Sequence, residues 1–276
     1  MDKETKLVKK VKRLIRRLGC PRWLHHYGPK KYEFLHHLTA LLVKSNFRLS
    51  YRRVVYFLNL LGIKCPSKSA LQYTAAKLTS GFWQKILSLT VKSPYLLAID
   101  GTGFSRTNPS YHYLRRIDGK IPSVPVKLSV GFDTRQKKFC AANVRVTPAH
   151  DIRDVKKILK LSKPKVLVAD KAYDALWLHE FCKMQNIEPY IPVRKLGKPR
   201  HSRWNLRMSS IKKFKMRTYH RRELVEASFS SIKRKFGSSV SSRKAKTIRS
   251  EIYGRLICHN IFSWLFSTFR TEPSDM

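Results

Sequence analysis

Asp100, Asp170 and Glu226 are the residues whose surroundings give them chemistry to do. The chain carries 58 Lys and Arg against 17 Asp and Glu, a formal charge of +41 over 276 residues. Between residues 5 and 99 its only acid is Glu33. Asp100 closes "LLAID" and Asp170 closes "VLVAD"; each is an apolar run fit to be buried on both faces, ended by a carboxylate. Side by side and parallel, two such strands bring both carboxylates to one sheet edge, where open α/β sheets take ligands. Two anions so placed repel, and a shared divalent cation is the usual remedy. The plainer reading has each Asp capping the following turn, with Gly101 and Gly103 there to bend the chain. One such strand favours the plain reading; two shift the balance towards the cation.

The third acid lies in "YHRRELVEASFSSIKRKFG", residues 219–237, which predicts a helix. With Tyr219 at zero, Arg222 falls at roughly 300°, Glu226 at roughly 340° and Lys233 at roughly 320° around the helix axis. Val225, Phe229, Ile232 and Phe236 cluster at roughly 220–280° and mark the buried face. The Tyr219, Arg222, Glu226, Lys233 stripe therefore flanks the buried face, whereas merely solvating charges would lie opposite it. Glu223 falls nearer the exposed side, as a first-turn acid complementing the helix dipole.

These acids need elements to hold them. Residues 94–193 alternate apolar runs with amphipathic stretches: strands at 125–132 and 138–147 joined by "DTRQ", and helices beginning at Asp151 and Asp174, each read as an N-cap. Asp154 is expected at the surface, and Asp118 and Asp133 in turns. The expectation is an α/β mixed sheet flanked by helices. Residues 32–89 read as helical throughout. A helix capped by Ser50 and ended by Gly62, then one started by Pro66 and Ser67, outlines either a helix-turn-helix or an ordinary helical hairpin. As a helix-turn-helix it presents Ser67, Lys68, Ser69 and Gln72 to a DNA groove. The organisation expected is a basic arm over 1–30, a helical domain over 31–90 and a catalytic domain over 91–270.

Composition narrows the partners. A 42% hydrophobic content marks a globular chain, and its cationic excess calls for a polyanion, with nucleic acid the obvious one. No run approaches the ~20 apolar residues of a membrane span. The N-terminus lacks the apolar core of a signal peptide. Five scattered cysteines without a C-x-x-C argue for reduced thiols and against a zinc ribbon. The His pairs at 25–26 and 36–37 fit no zinc spacing and read as solvated. Between Glu188 and Glu223 lie twelve Lys and Arg and no acid. Arg203, Lys212 and Lys213 of this linker are candidates for contacts with DNA backbone. Trp204 either stacks on an unpaired base or anchors the loop.

Tyr219-x2-Arg222-x3-Glu226-x6-Lys233 resembles, spacing for spacing, the Tyr-Arg-Glu-Lys signature of a branch of the DDE-type transposases of prokaryotic insertion sequences. "IDGT" at Asp100 and "ADKAYD" at Asp170 and Tyr173 resemble the first and second acidic motifs of that family, in the same order, across roughly residues 94–265. His150 and Asp151 resemble a His-Asp pair found after its third strand, though Asp151 as a helix cap is the simpler account. The resemblance implies a ribonuclease-H-like fold in which Asp100, Asp170 and Glu226 hold two Mg²⁺ ions, with Mn²⁺ able to substitute. It implies cleavage at the ends of an element and joining of the 3′-OH ends to target DNA. Arg222 and Lys233 would grip phosphates, and Tyr219 would either bind a phosphate or pack at the start of the helix. The partners implied are double-stranded DNA, as terminal inverted repeats and target, and a second copy of the chain on paired ends. The setting implied is a prokaryotic cytoplasm, at the nucleoid. The linker is short beside members that carry a β-rich insertion, so a hairpin pathway that depends on one is not implied. The alternatives are a helix-turn-helix DNA-binding protein derived from a transposase, and a nuclease of the same fold that hydrolyses without joining.

Overall fold

The computed structural model describes residues 6–24, 27, 30–106, 125–193 and 214–262. Two compact units divide the chain, Val91–Lys233 and Met1–Thr90 with Arg234–Met276. Among the described residues no helix is long and apolar enough to cross a membrane, and all five cysteines are free thiols.

The first of these units is built on a sheet in the order β3-β2-β1-β4-β5. Its strands are β1 (Leu96–Arg106), β2 (Val126–Asp133), β3 (Lys138–Arg145), β4 (Val166–Ala169) and β5 (Glu188–Tyr190). β1, β2 and β3 form an antiparallel meander, while β4 joins β1 in parallel and β5 joins β4 in parallel. This is the ribonuclease-H-like arrangement: a mixed sheet with helices against it. One face carries Leu97, Ile99, Leu167 and Ala169 against Val155, Ile158 and Leu159 of α6 (Ile152–Ser162) and Leu178, Phe181 and Cys182 of α7 (Leu176–Met184). The other carries Leu96, Val166, Val168 and Tyr190 against Phe214 and Tyr219.

Three local expectations are corrected here. β1 does not stop at Asp100 in a Gly-Thr-Gly turn; pairing with β2 continues to Phe104↔Val126, so Gly101 and Gly103 lie within a strand. Asp174 does not cap α7, whose N-cap is Ala175; its carboxylate lies 3.2 Å from Nε2 of buried His179. Asp154 is not a surface residue. It is 1% exposed and accepts from Ser129 Oγ (2.9 Å), Asn143 Nδ2 (2.8 Å) and Arg145 Nε (2.8 Å), tying α6 to β2 and β3.

The helical unit holds α1 (Lys6–Arg17), α2 (Phe34–Asn46), α3 (Tyr51–Leu60), α4 (Lys68–Lys77), α5 (Ser80–Leu89) and α10 (Ala245–Phe262). Ser50 and Ser67 cap α3 and α4 through the backbone N–H groups of Arg53 and Ala70, as their positions predict. α10 is buried on nearly every side, Glu251 and Arg255 included, because it packs against α2, α4 and α5 at once. It therefore joins the helical unit, whereas its place in the sequence assigns it to the catalytic domain. Trp83 of α5 donates to Ser250 Oγ of α10 (2.9 Å), which donates to the Ala75 carbonyl of α4 (2.6 Å). His37, expected in solvent, is buried 2.8 Å from Thr74 Oγ1.

Candidate active site

Register decides where the first two acids go. Ile99 pairs with Ala169, so Asp100 and Asp170 are the next residues along two adjacent parallel strands. Side chains alternate between faces. Asp100 follows Leu96 on one face of β1, and Asp170 follows Val166 and Val168 on the same face of β4. Both therefore leave the sheet on the side of Phe214 and Tyr219. Each carboxylate accepts from the next backbone N–H: Asp100 Oδ1 from Gly101 (2.8 Å) and Asp170 Oδ1 from Lys171 (2.7 Å). Asp170 so caps the 3-10 turn that follows it, while Asp100 bonds its neighbour within a continuing strand; each retains a second oxygen for other partners.

Glu226 arrives from α9 (Glu223–Phe236). The predicted single helix from Tyr219 is interrupted: α8 (Met216–Tyr219) passes into a 3-10 turn, His220–Arg222, before α9 begins. Val225, Phe229 and Ile232 are buried, as the wheel places them, and Phe229 stacks on Phe139 of β3 at 6.3 Å. Glu223 is exposed and pairs with His220 (3.1 Å). Arg222 Nη1 lies 2.5 Å from Glu226 Oε1 and 3.8 Å from Asp100 Oδ2. One guanidinium thus reaches the strand acid and the helix acid together. Tyr219 packs on Phe214 (5.3 Å) beneath the Arg222 guanidinium (6.0 Å). Lys233 sits further along α9, its ammonium 5.8 Å from the Phe104 ring of β1.

The electrostatics follow from this crowding. Burial pushes the Asp100 carboxyl above its ordinary value; the Gly101 N–H and Arg222 pull it down, and Glu226 and Asp151 push it up. Arg222 is raised: burial works against its charge, but Glu226, Tyr219, Asp100 and Asp170 together outweigh it. Tyr173, three residues after Asp170, is 2% exposed, and its hydroxyl has no hydrogen-bond partner among the described residues. Burial, then Asp151, Asp100, Asp154 and Asp170, hold that phenol in its protonated form.

The carboxylate oxygens of Asp100, Asp170 and Glu226 are hard donors of the kind Mg²⁺ and Mn²⁺ prefer. Among the described residues no three acids stand close enough to enclose an ion as placed. The Arg222 guanidinium reaches both Asp100 and Glu226. By donor type, the three carboxylates are the residues that would hold such an ion.

Of the other candidates, Lys68 and Gln72 are exposed on α4. Arg203, Trp204, Lys212, Lys213 and Asp118 lie outside the described residues. Missed by sequence reasoning is the placement of Asp151. It stands at the N-terminus of α6 but makes no capping hydrogen bond. Its carboxylate lies instead over Gly101, where a Cβ would meet Oδ1 at 2.3 Å. The signals for it in the sequence were the glycine after Asp100 and the resemblance of His150 and Asp151 to a His-Asp pair.

Residues 92–261 match the family Transposase DDE domain. The chain belongs to that family. A comparison with curated proteins gives no match. Among solved structures, a piggyBac transposase synaptic complex with hairpin DNA is similar at 10% identity and a TM-score of 0.46, over 98% of this chain and 75% of that one. The fold of this transposase domain therefore rests on its own strand order, and its site on its own residues.

Proposed function

We propose that this protein is a DNA transposase that cuts the ends of a mobile element and joins the released 3′-OH ends to target DNA, with Asp100, Asp170 and Glu226 as its cation-holding acids. The observation that carries the reading is the pair of aspartates on one face of two adjacent parallel strands, with the Arg222 guanidinium reaching both Asp100 and Glu226. Two Mg²⁺ ions bound by these carboxylates supply stabilisation of the attacking and leaving oxygens in an in-line phosphoryl displacement.

The chain's own residues do the rest. Arg222 offers a planar fork to a phosphate beside the scissile bond, and Lys233 a point charge further along the same strand of DNA. Tyr219 holds Arg222 in place from below. In the first reaction a water oxygen bonds to phosphorus, the P–O3′ bond breaks, and the 3′ oxygen leaves as a hydroxyl. In the second, that 3′ oxygen bonds to a target phosphorus and displaces a target 3′ oxygen, so the count of phosphodiester bonds is unchanged. Lys68 and Gln72 of α4, and Arg203, Lys212 and Lys213 of the basic linker, bind DNA in this reading. Two copies act on paired ends.

Asp100→Ala, Asp170→Ala and Glu226→Gln are each expected to abolish Mg²⁺-dependent cleavage of an element end while DNA binding, read by mobility shift, persists. Cleavage retained in all three variants would sink the assignment. A substrate already cut to a 3′-OH separates transposase from hydrolytic nuclease, because only the former joins it to a second duplex. Specific binding without any cleavage would leave a DNA-binding derivative.

A further inference from the structure

The outer face of α6 carries four cations and no acid. Arg153, Lys156, Lys157 and Lys160 are exposed, while Asp154, Val155, Ile158 and Leu159 turn inward and are buried. At about 3.6 residues per turn the four cations share an arc of roughly 100° around the helix axis. The nearby acids are engaged elsewhere: Asp154 by Ser129, Asn143 and Arg145, and Asp151 by Lys127 at 3.0 Å. No carboxylate among the described residues pairs with any of the four. Their contacts are neutral ones. Lys157 donates to Asn143 Oδ1 (2.8 Å), and Lys156 lies 5.7 Å from both the Trp177 and Phe181 rings of α7. Within the set, Arg153 lies three and four residues before Lys156 and Lys157, and Lys160 four and three after them, the spacings at which like charges destabilise a helix. Arg153 also stands in the first turn, where the helix dipole disfavours a cation. Solubility is served by mixed signs. A face of one sign, repelled by itself, is relieved by an anion laid along it.

We propose that the outer face of α6 is a second DNA-binding surface, which takes the phosphates of a duplex segment other than the one at the acids. The proposal rests on the reading of the protein as one that acts on DNA, and adds a place of contact away from the site. α6 packs on the face of the sheet that carries Leu97 and Ile99, whereas Asp100 and Asp170 leave from the opposite face. Duplex DNA is stiff over about 150 base pairs, so a short segment lying at the acids does not also wrap round the sheet to α6. From Arg153 to Lys160 the helix rises about 10 Å, a length over which one DNA strand presents about three phosphates. The convex side of a helix offers no enclosure for a single small anion. A regular polyanion is what regularly spaced cations match.

The test uses the full chain with an excess of a short duplex of arbitrary sequence and no divalent cation. Acetylation of lysines, read by mass spectrometry, is expected to slow several-fold at Lys157 and Lys160 when the duplex is present, with exposed Lys137 as the reference. The triple variant Arg153→Gln, Lys157→Gln, Lys160→Gln is expected to weaken the second duplex-binding step. Its salt slope should fall by about 2–3, since each phosphate contact contributes about 0.9. Lys85→Gln, Lys92→Gln, Lys137→Gln, three exposed lysines off this face, alter the net charge equally and should leave that slope near the parent's. Equal losses in the two variants mean diffuse charge, which overturns the α6 surface and leaves the DNA-acting reading standing. So do unslowed acetylation with duplex bound, and slowing by an RNA hairpin but not by the duplex. The first triple variant, relieved of repulsion, should melt no lower than the parent. A lower melting temperature would mean that partners within the chain already hold these cations, and also overturns the surface. A parent chain that binds no duplex overturns both readings.

Discussion

Arg222 is the residue on which the site's present state turns. Its guanidinium neutralises Glu226 at 2.5 Å and leans toward Asp100 at 3.8 Å, so the acids are compensated from within the chain. In the proposed function both acids hold a cation and the arginine a phosphate, so the same side chain cannot serve both states in one position. Arg222→Gln is therefore expected to tighten Mn²⁺ binding by the DNA-free protein and to weaken DNA binding, the two shifts having opposite signs. Calorimetric titration with each ligand checks this, and weaker Mn²⁺ binding in the variant would show that Arg222 builds the site instead of occupying it. The sequence made part of this legible. The i, i+4 spacing of Arg222 and Glu226 puts them on one stripe, and that contact forms. Asp154 was misread because its five hydrogen bonds come from Ser129, Asn143 and Arg145, on β2 and β3 and not on its own helix. No periodicity within α6 reports a partner on another element.

At the scale of elements, the two strands that carry Asp100 and Asp170 were legible because "LLAID" and "VLVAD" are apolar runs of strand length, and they pair in parallel as β1 and β4. Where β1 ends was not legible, since Gly-Thr-Gly is a turn signal locally and only the β2 partner strand overrides it. The break at His220–Arg222 was equally hidden, because a 3-10 turn and an α-turn share the same residue preferences. α10 gives the clearest case of packing outranking order in the chain. Gly254 allows α10 to approach α2 so closely that an added Cβ would lie 2.3 Å from Ser45 Oγ and 3.0 Å from Ser45 Cβ. Gly254→Ala gains about 1 kcal/mol of intrinsic helix preference, but the overpacking costs about 1–3 kcal/mol. Net destabilisation is expected, and Ser45→Gly added to it should recover stability beyond the sum of the single changes. A melting series on the three variants decides it; strict additivity would mean the helices simply slide apart.

At the scale of the whole molecule, charge sets two opposing salt responses. In the helical unit Lys44 lies 4.6 Å over the Tyr51 ring, while Arg255 donates to Glu251 at 2.6 Å. Burial disfavours the Glu251 charge, but Lys44, Arg255 and the hydrogen bonds of Ser242 and Ser241 outweigh it and hold its carboxyl below the usual value. These compensated interior charges respond little to salt, because screening acts on exposed ones. The remaining excess, +41 overall, is largely self-repulsive and is weakened by added ions. Raising salt from about 0.05 to about 0.5 M should therefore raise the melting temperature of the free protein. The same change should weaken DNA binding steeply, since each phosphate neutralised by Lys or Arg releases a counterion that salt returns. With DNA bound, the repulsion is already neutralised, so the melting temperature of the complex should fall with salt as the DNA is lost. Melting curves with and without a duplex, across one salt series, read both signs. A free protein whose melting temperature falls with salt would mean that its exposed charges attract more than they repel, and that the cationic excess is balanced within the fold.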